Sequence, residues 1–158
     1  MLIEWLQVLQ DWEVAGFIRR SVYVYPLLNA THIFSVALLI GAIIVADLRM
    51  LGFFLAVEAG PFLRLMANVS AAGLSFAVVT GLLLFSVQPL EYAYNPAFLT
   101  KIALVALGVI NAVALRRSEA WQAALAGDVA RARLRAGALL SGVIWIAALL
   151  AGRWIAFL

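Results

Sequence analysis

His32 is the single histidine of the chain, and it lies inside a stretch of apolar residues long enough to cross a bilayer. A neutral imidazole in a dry environment needs at least one hydrogen-bond partner, and the same ring can serve as an axial ligand to haem iron. Two cations enter apolar segments from the same side: Lys101, shortly after Asn95-Pro96, and Arg153, about a turn from the end of the last apolar segment. Charge at membrane depth is costly, so such residues either snorkel to the interface or face an internal polar site. Asn29, Thr31, Thr100, Tyr92 and Tyr94 are expected at the same level. Asn29, His32, Lys101, Arg153, Tyr92 and Tyr94 therefore make a candidate electropositive pocket. It would suit a lipid head group, a quinone oxygen, a haem propionate or the acidic surface of a partner subunit. The plainer reading is an interhelical hydrogen bond for His32 and snorkelling for the two cations.

Haem b meets one difficulty in the ligand set. Met50 is about 27 Å from His32 along the same helix, and Met66 begins the second span at the opposite membrane face, so neither can reach an iron held by His32. Bis-histidine ligation would need a second copy or a partner subunit. His32 is thus the one metal-ligating candidate, and copper has no thiolate, thioether or imidazole cluster to hold it. The carboxylates Asp47, Glu58 and Glu91 read as end or turn residues, with Asp47 expected to pair with Arg49 at the interface. Asn111, deep in the third span, either bonds across helices or lines a path. No nucleophile with its base, phosphate loop or metal motif is visible, so no catalytic residue is assigned.

The elements that position these residues are set by composition. Hydrophobic residues make up 66% of the 158 residues and charged residues 12%, against roughly 45 to 50% and about 25% in a soluble domain. Such a chain is expected to be one membrane domain with spans at about 26–47, 65–87, 97–116 and 136–157, each near the ~20 residues a ~30 Å hydrocarbon core requires. Tyr25-Pro26, Glu58-Ala59-Gly60-Pro61, Gln88-Pro89 and Asn95-Pro96 mark the boundaries. Residues 1–20 are expected to form an amphipathic helix, lying in the interface or docked on the bundle; Glu4, Asp11 and Glu13 argue against a signal peptide. Residues 118–135 are expected to be an amphipathic segment with a break near Gly127.

Arg49, Arg64, Arg116, Arg117, Arg131, Arg133 and Arg135 lie on one side of the spans; Arg19, Arg20, Lys101 and Arg153 lie on the other. The positive-inside rule makes the richer side cytoplasmic and leaves both termini periplasmic, in a bacterial inner membrane. The net charge of +3 reports this topology rather than nucleic-acid binding, and the absence of cysteine excludes disulfides and thiol chemistry. Small residues recur every four positions at Gly73, Ala77 and Gly81, at Ala37 and Gly41, and at Ala148 and Gly152, predicting close helix contacts along those stripes.

The early Trp-Leu, Tyr25-Pro26 through His32, Ala46-Asp47-Leu48-Arg49, Thr80-Gly81-Leu82-Leu83, Asn95-Pro96-Ala97-Phe98, Lys101, Asn111-Ala112 and Gly152-Arg153 occur in an order and spacing spanning nearly the whole chain. In these it resembles a family of small, uncharacterised bacterial inner-membrane proteins with four transmembrane helices. The histidine-bearing first span is more loosely similar to helices of copper-resistance D-type membrane proteins. The chain departs from the family pattern at Asn29, where relatives carry glutamate, and at Arg116, where they carry histidine. The resemblance implies the fold and no activity.

The expected fold is an all-α membrane protein, a four-transmembrane-helix bundle with an N-terminal interfacial helix. The expected function is that of a non-catalytic accessory or binding subunit, contacting membrane lipid and a partner subunit or second copy, with haem b or quinone as the cofactors to consider. A small-solute transporter or pore, and a b-type haem electron-transfer protein, are the alternatives.

Overall fold

Helix dominates because the longest apolar stretches leave no other way to satisfy backbone groups away from water. The computed structural model describes residues 1–129 and 131–157, and among these there is no strand. Four helices are long and apolar enough to cross a membrane: α3 (Val24–Met50), α4 (Ala59–Val87), α6 (Pro96–Arg116) and α8 (Ala132–Trp154), the last extended by a 3₁₀ turn at Ile155–Phe157. Shorter helices α1 (Leu2–Gln10), α2 (Glu13–Arg20), α5 (Pro89–Tyr94) and α7 (Glu119–Leu125) lie between and before them. The chain is an all-α bundle of multi-pass membrane type.

Local chemistry sets the ends. Asn95 caps α6, its side chain accepting from the Phe98 N–H at 3.1 Å, and Pro96 occupies the first turn, where no donor is needed. Ser118 caps α7, and Gly127 leaves that helix at φ 103°. Between α3 and α4 the chain turns through Gly52 at φ 103° and Phe54 at φ 55°. Arg49 is buried beside this turn and donates Nε and Nη2 to the Val57 carbonyl at 3.2 and 3.0 Å. The residues at 1–20 form two helices broken at Asp11-Trp12, docked through buried Leu6, Ala15 and Ile18 while Trp5 and Phe17 stay exposed. Arg19 ties α2 to the end of α4 by donating to the Val87 carbonyl at 3.2 Å.

The bundle is built from two antiparallel pairs, α3 with α4 and α6 with α8, joined along α3 and α8; α4 and α6 stand apart. Gly73 marks the tightest approach of the first pair. A Cβ there would come within 2.7 Å of the Leu39 backbone nitrogen and 3.0 Å of the Ser35 carbonyl oxygen. The opposing face on α3 differs from the expected stripe. Ala37 is exposed and nothing lies within 4 Å of a Cβ placed on Gly41, whereas Ser35, Leu39 and Ala42 are buried. Small size alone does not choose the face: His32, Ser35 and Leu39 follow each other at helical spacing, and α4 packs on the side that carries the polar groups. Apolar side chains such as Phe34, Phe76, Leu82, Ile110 and Val143 remain exposed, as a lipid solvent requires.

Gly73→Ala is expected to destabilise the bundle by about 1–3 kcal/mol through overpacking against backbone, while Gly41→Ala leaves stability unchanged. Reversible unfolding of both variants in mixed detergent micelles checks this; equal stabilities would contradict the contact.

Candidate functional site

The α3/α4 contact aims His32 between helices. Its Nδ1 lies 2.9 Å from the Thr80 hydroxyl oxygen, and that hydroxyl is 2.7 Å from the Phe76 carbonyl one turn back on α4. A carbonyl only accepts, so the single hydroxyl hydrogen of Thr80 is committed to Phe76. With the Thr80 hydrogen on Phe76, Nδ1 donates to the hydroxyl oxygen, the tautomer that leaves Nε2 with its lone pair. The ring also lies within hydrogen-bonding reach of the Ala77 backbone carbonyl. Gly81 lets the ring lie flat on α4, since a Cβ there would come within 3.2 Å of the ring carbon Cε1.

Lys101 approaches from the other helix pair. Its aliphatic stem runs along α8 at Gly152, where a Cβ would sit 3.5 Å from Cδ and Cε, and its ammonium is near enough for its charge to act on His32. Among the described residues no carboxylate pairs with it. The absence of a side chain at Gly152 gives the stem its track, a packing form of snorkelling.

Other residues singled out from the sequence divide. Asn29 is half-buried on α3, three positions before His32 and hence on its face. Arg153 is exposed and stands over the Phe157 ring at 4.9 Å. Tyr92 belongs to an aromatic cluster, its centroid 6.2 Å from Phe85 and 5.4 Å from Phe98, and its phenol bonds to Tyr25. Burial pushes that phenol above its ordinary pKa, and the neighbouring Tyr25 and Glu91 add to the shift, so Tyr92 stays neutral. Tyr94 is exposed. Asn111 lies far toward the arginine-rich end and donates to the Gly137 carbonyl of α8 at 3.2 Å.

Asp47 departs from its expected partner. Residues two apart on a helix point away from each other. Arg49 accordingly turns to Val57, while Asp47 turns inward to the Ser141 hydroxyl of α8. The sequence signal for this was available in the spacing, since Leu39, Ile43, Asp47 and Met50 share the face that α3 presents to the core. Among the described residues no group of three or more metal-ligating side chains occurs.

The profile of a family of unknown function, DUF6644, matches residues 11–158. The chain belongs to that family. DUF6644 thus spans α2 through α8 and includes His32, Thr80, Lys101 and Asp47. No curated protein matches this DUF6644 member, and no solved structure does.

Because the chain holds one histidine, its ring nitrogens are readable without assignment. Nitrogen NMR of ¹⁵N-histidine-labelled protein in micelles is expected to show a protonated Nδ1 and an unprotonated Nε2. Thr80→Val should erase this preference and cost about 0.6 kcal/mol, the size of a membrane interhelical hydrogen bond. The Nε2–H tautomer in the unaltered chain would refute the assignment.

Proposed function

We propose that this protein is a non-catalytic membrane binding protein that holds an anionic amphiphile at its His32 end, as an accessory subunit or a self-associating one. The observation that carries the reading is Lys101, a cation at membrane depth with no carboxylate partner among the described residues and its stem laid along α8. A cation in that position is stabilised when the ligand supplies the counter-charge. Arg153 adds positive charge near the boundary, and Nε2 of His32 offers an acceptor for a head-group hydroxyl.

Two contacts favour binding over a transport path. Below His32 the backbones of α3 and α4 touch at Gly73, and Asn111 spends its amide on Gly137 instead of presenting it to water. The arginine distribution supports a placement in the inner membrane of a bacterium, with the arginine-rich turns cytoplasmic and both termini periplasmic. A specific feature also favours haem b as a second reading. An imidazole anchored through Nδ1 to a neighbouring oxygen is oriented as metal-ligating histidines are. Quinone remains a ligand class for the same acceptor and cation.

Mass spectrometry of lipids retained through purification from native membrane checks the reading. Anionic lipid should be enriched over bulk membrane, and Lys101→Ala should lower the retained fraction about fivefold, the effect of roughly 1 kcal/mol per cation. His32→Ala should reduce retention while leaving the helix content unchanged. Retention unaltered in Lys101→Ala/Arg153→Ala would remove the proposal, and a Soret band in the purified protein would replace it with the haem reading.

A further inference from the structure

The gap between α4 and α6 holds a cavity of about 160 Å³ near the arginine-rich end, separated from His32 by the Gly73 contact. Its walls come from all four spanning helices and are mostly aliphatic, with Trp121 and Trp145 bordering it. Because α4 and α6 do not pack on each other, the cavity faces the lipid through the side of the bundle. Arg116 bridges the two helices at the water-facing end by donating to the Ala67 carbonyl at 3.1 Å, which narrows the approach from that direction.

Among the described residues, two buried polar atoms at this cavity lack partners: Oδ2 of Asp47 and Nε1 of Trp145. Asp47 is 6% exposed and Trp145 2%. Leaving a buried donor or acceptor unmade costs more than a typical hydrogen bond gains, and more again for a charged group. Asp47 bonds Ser141, and Ser141 and Trp145 lie a turn apart on one face of α8, so both residues belong to the same stretch of cavity wall. The Nε1 edge of Trp145 lies against α6, where a Cβ on Gly108 would come within 2.8 Å of Cε2 and Cζ2 and 3.2 Å of Nε1. A carboxylate accepts and an indole N–H donates, so one hydroxyl group can answer both.

We propose that this cavity binds the ring of a membrane-dissolved phenol or quinol, entering between α4 and α6, with its hydroxyl donating to Asp47 and accepting from Trp145. The volume fits one aromatic ring, since a cavity of about 150 Å³ accommodates benzene. A single water could satisfy the two atoms but would leave the aliphatic remainder unfilled. Both atoms are covered by the cavity wall in this conformation, and the ligand reaches them as flexible side chains give way; Met50 and Met66 stand in that wall. The inference is independent of the His32 end.

The test titrates 4-hexylphenol and its methyl ether, 4-hexylanisole, into the full chain in lipid nanodiscs, with Kd read by saturation-transfer NMR. The phenol should bind about fivefold more tightly than the ether, the worth of about one hydrogen bond. Asp47→Leu should abolish the preference, and Ala71→Phe, which fills the cavity from α4 while sparing both polar groups, should remove binding of either compound. Equal affinity for phenol and ether, or phenol binding untouched in Ala71→Phe, would overturn the proposal; Ala71→Phe keeps the test decisive should Asp47→Leu fail to fold. Extraction of protein purified from native membrane separates the sources, a redox-active ring marking a quinol and a redox-silent one a plain phenolic lipid.

Discussion

The backbone contact between α3 and α4 at Gly73 is the constraint on which the arrangement of polar groups depends. In lipid, apolar side chains gain nothing by leaving their solvent for one another, so helices associate through dispersion at close range and through polar groups. Bringing two backbones together requires a position without a side chain, and Gly73 supplies it against Ser35 and Leu39. Once that register is set, Thr80 and Gly81 arrive opposite His32 two turns along, because both helices advance at the same rise and run antiparallel. A shift of one residue would rotate Thr80 off the seam and leave the imidazole donor without its oxygen. The hydrogen bond of His32 is thus a consequence of glycine placement as much as of histidine chemistry.

The second pair obeys the same rule with different partners. Gly108 admits the Trp145 ring and Gly152 admits the Lys101 stem, so large side chains of one helix fill the absences of the other. Such packing fixes α6 to α8, Trp145 also packs on Leu39 and Ile40 of α3, and among the described residues no glycine contact of this kind draws α4 to α6. An unevenly closed bundle follows, with a lateral opening on one side and sealed seams on the others. The seal between the His32 end and the Asp47 end means that the two polar regions belong to separate compartments of one fold. A continuous aqueous route between them would have to break the closest contact between α3 and α4.

Much of this was legible in the residue order. Hydropathy and the Pro and Gly boundaries located four spans, and the grouping of His32 and Lys101 near one end followed from their depth in the spans. Faces were harder to read. Ala37 and Gly41 carry the small-residue spacing yet look outward, because a permissive surface is used only where the partner has something to place against it. Asp47 and Arg49 illustrate the same difficulty with charge: adjacency in sequence suggested a pair, while helical geometry sends one to the core and the other to the turn. Thr80 as the partner of His32, and Trp145 as an unsatisfied donor, depend on register between helices, which no single-helix pattern contains.

The contrast between the two ends carries a physical consequence for ligands. At the His32 end the polar groups are partly exposed and positive, so attraction acts over distance and weakens with salt. At the Asp47 end the groups are buried and surrounded by aliphatic walls, with Oδ2 of Asp47 and Nε1 of Trp145 lacking a partner among the described residues, so nothing acts until a ligand has already left the lipid and entered. Recognition there must come from fit and from hydrogen-bond matching, because an aliphatic molecule of the same size would fill the volume and leave both polar atoms as costly as before. A chain of this size can therefore hold polar groups of opposite character at its two ends without a loop or a second domain, provided that the seam between them stays closed.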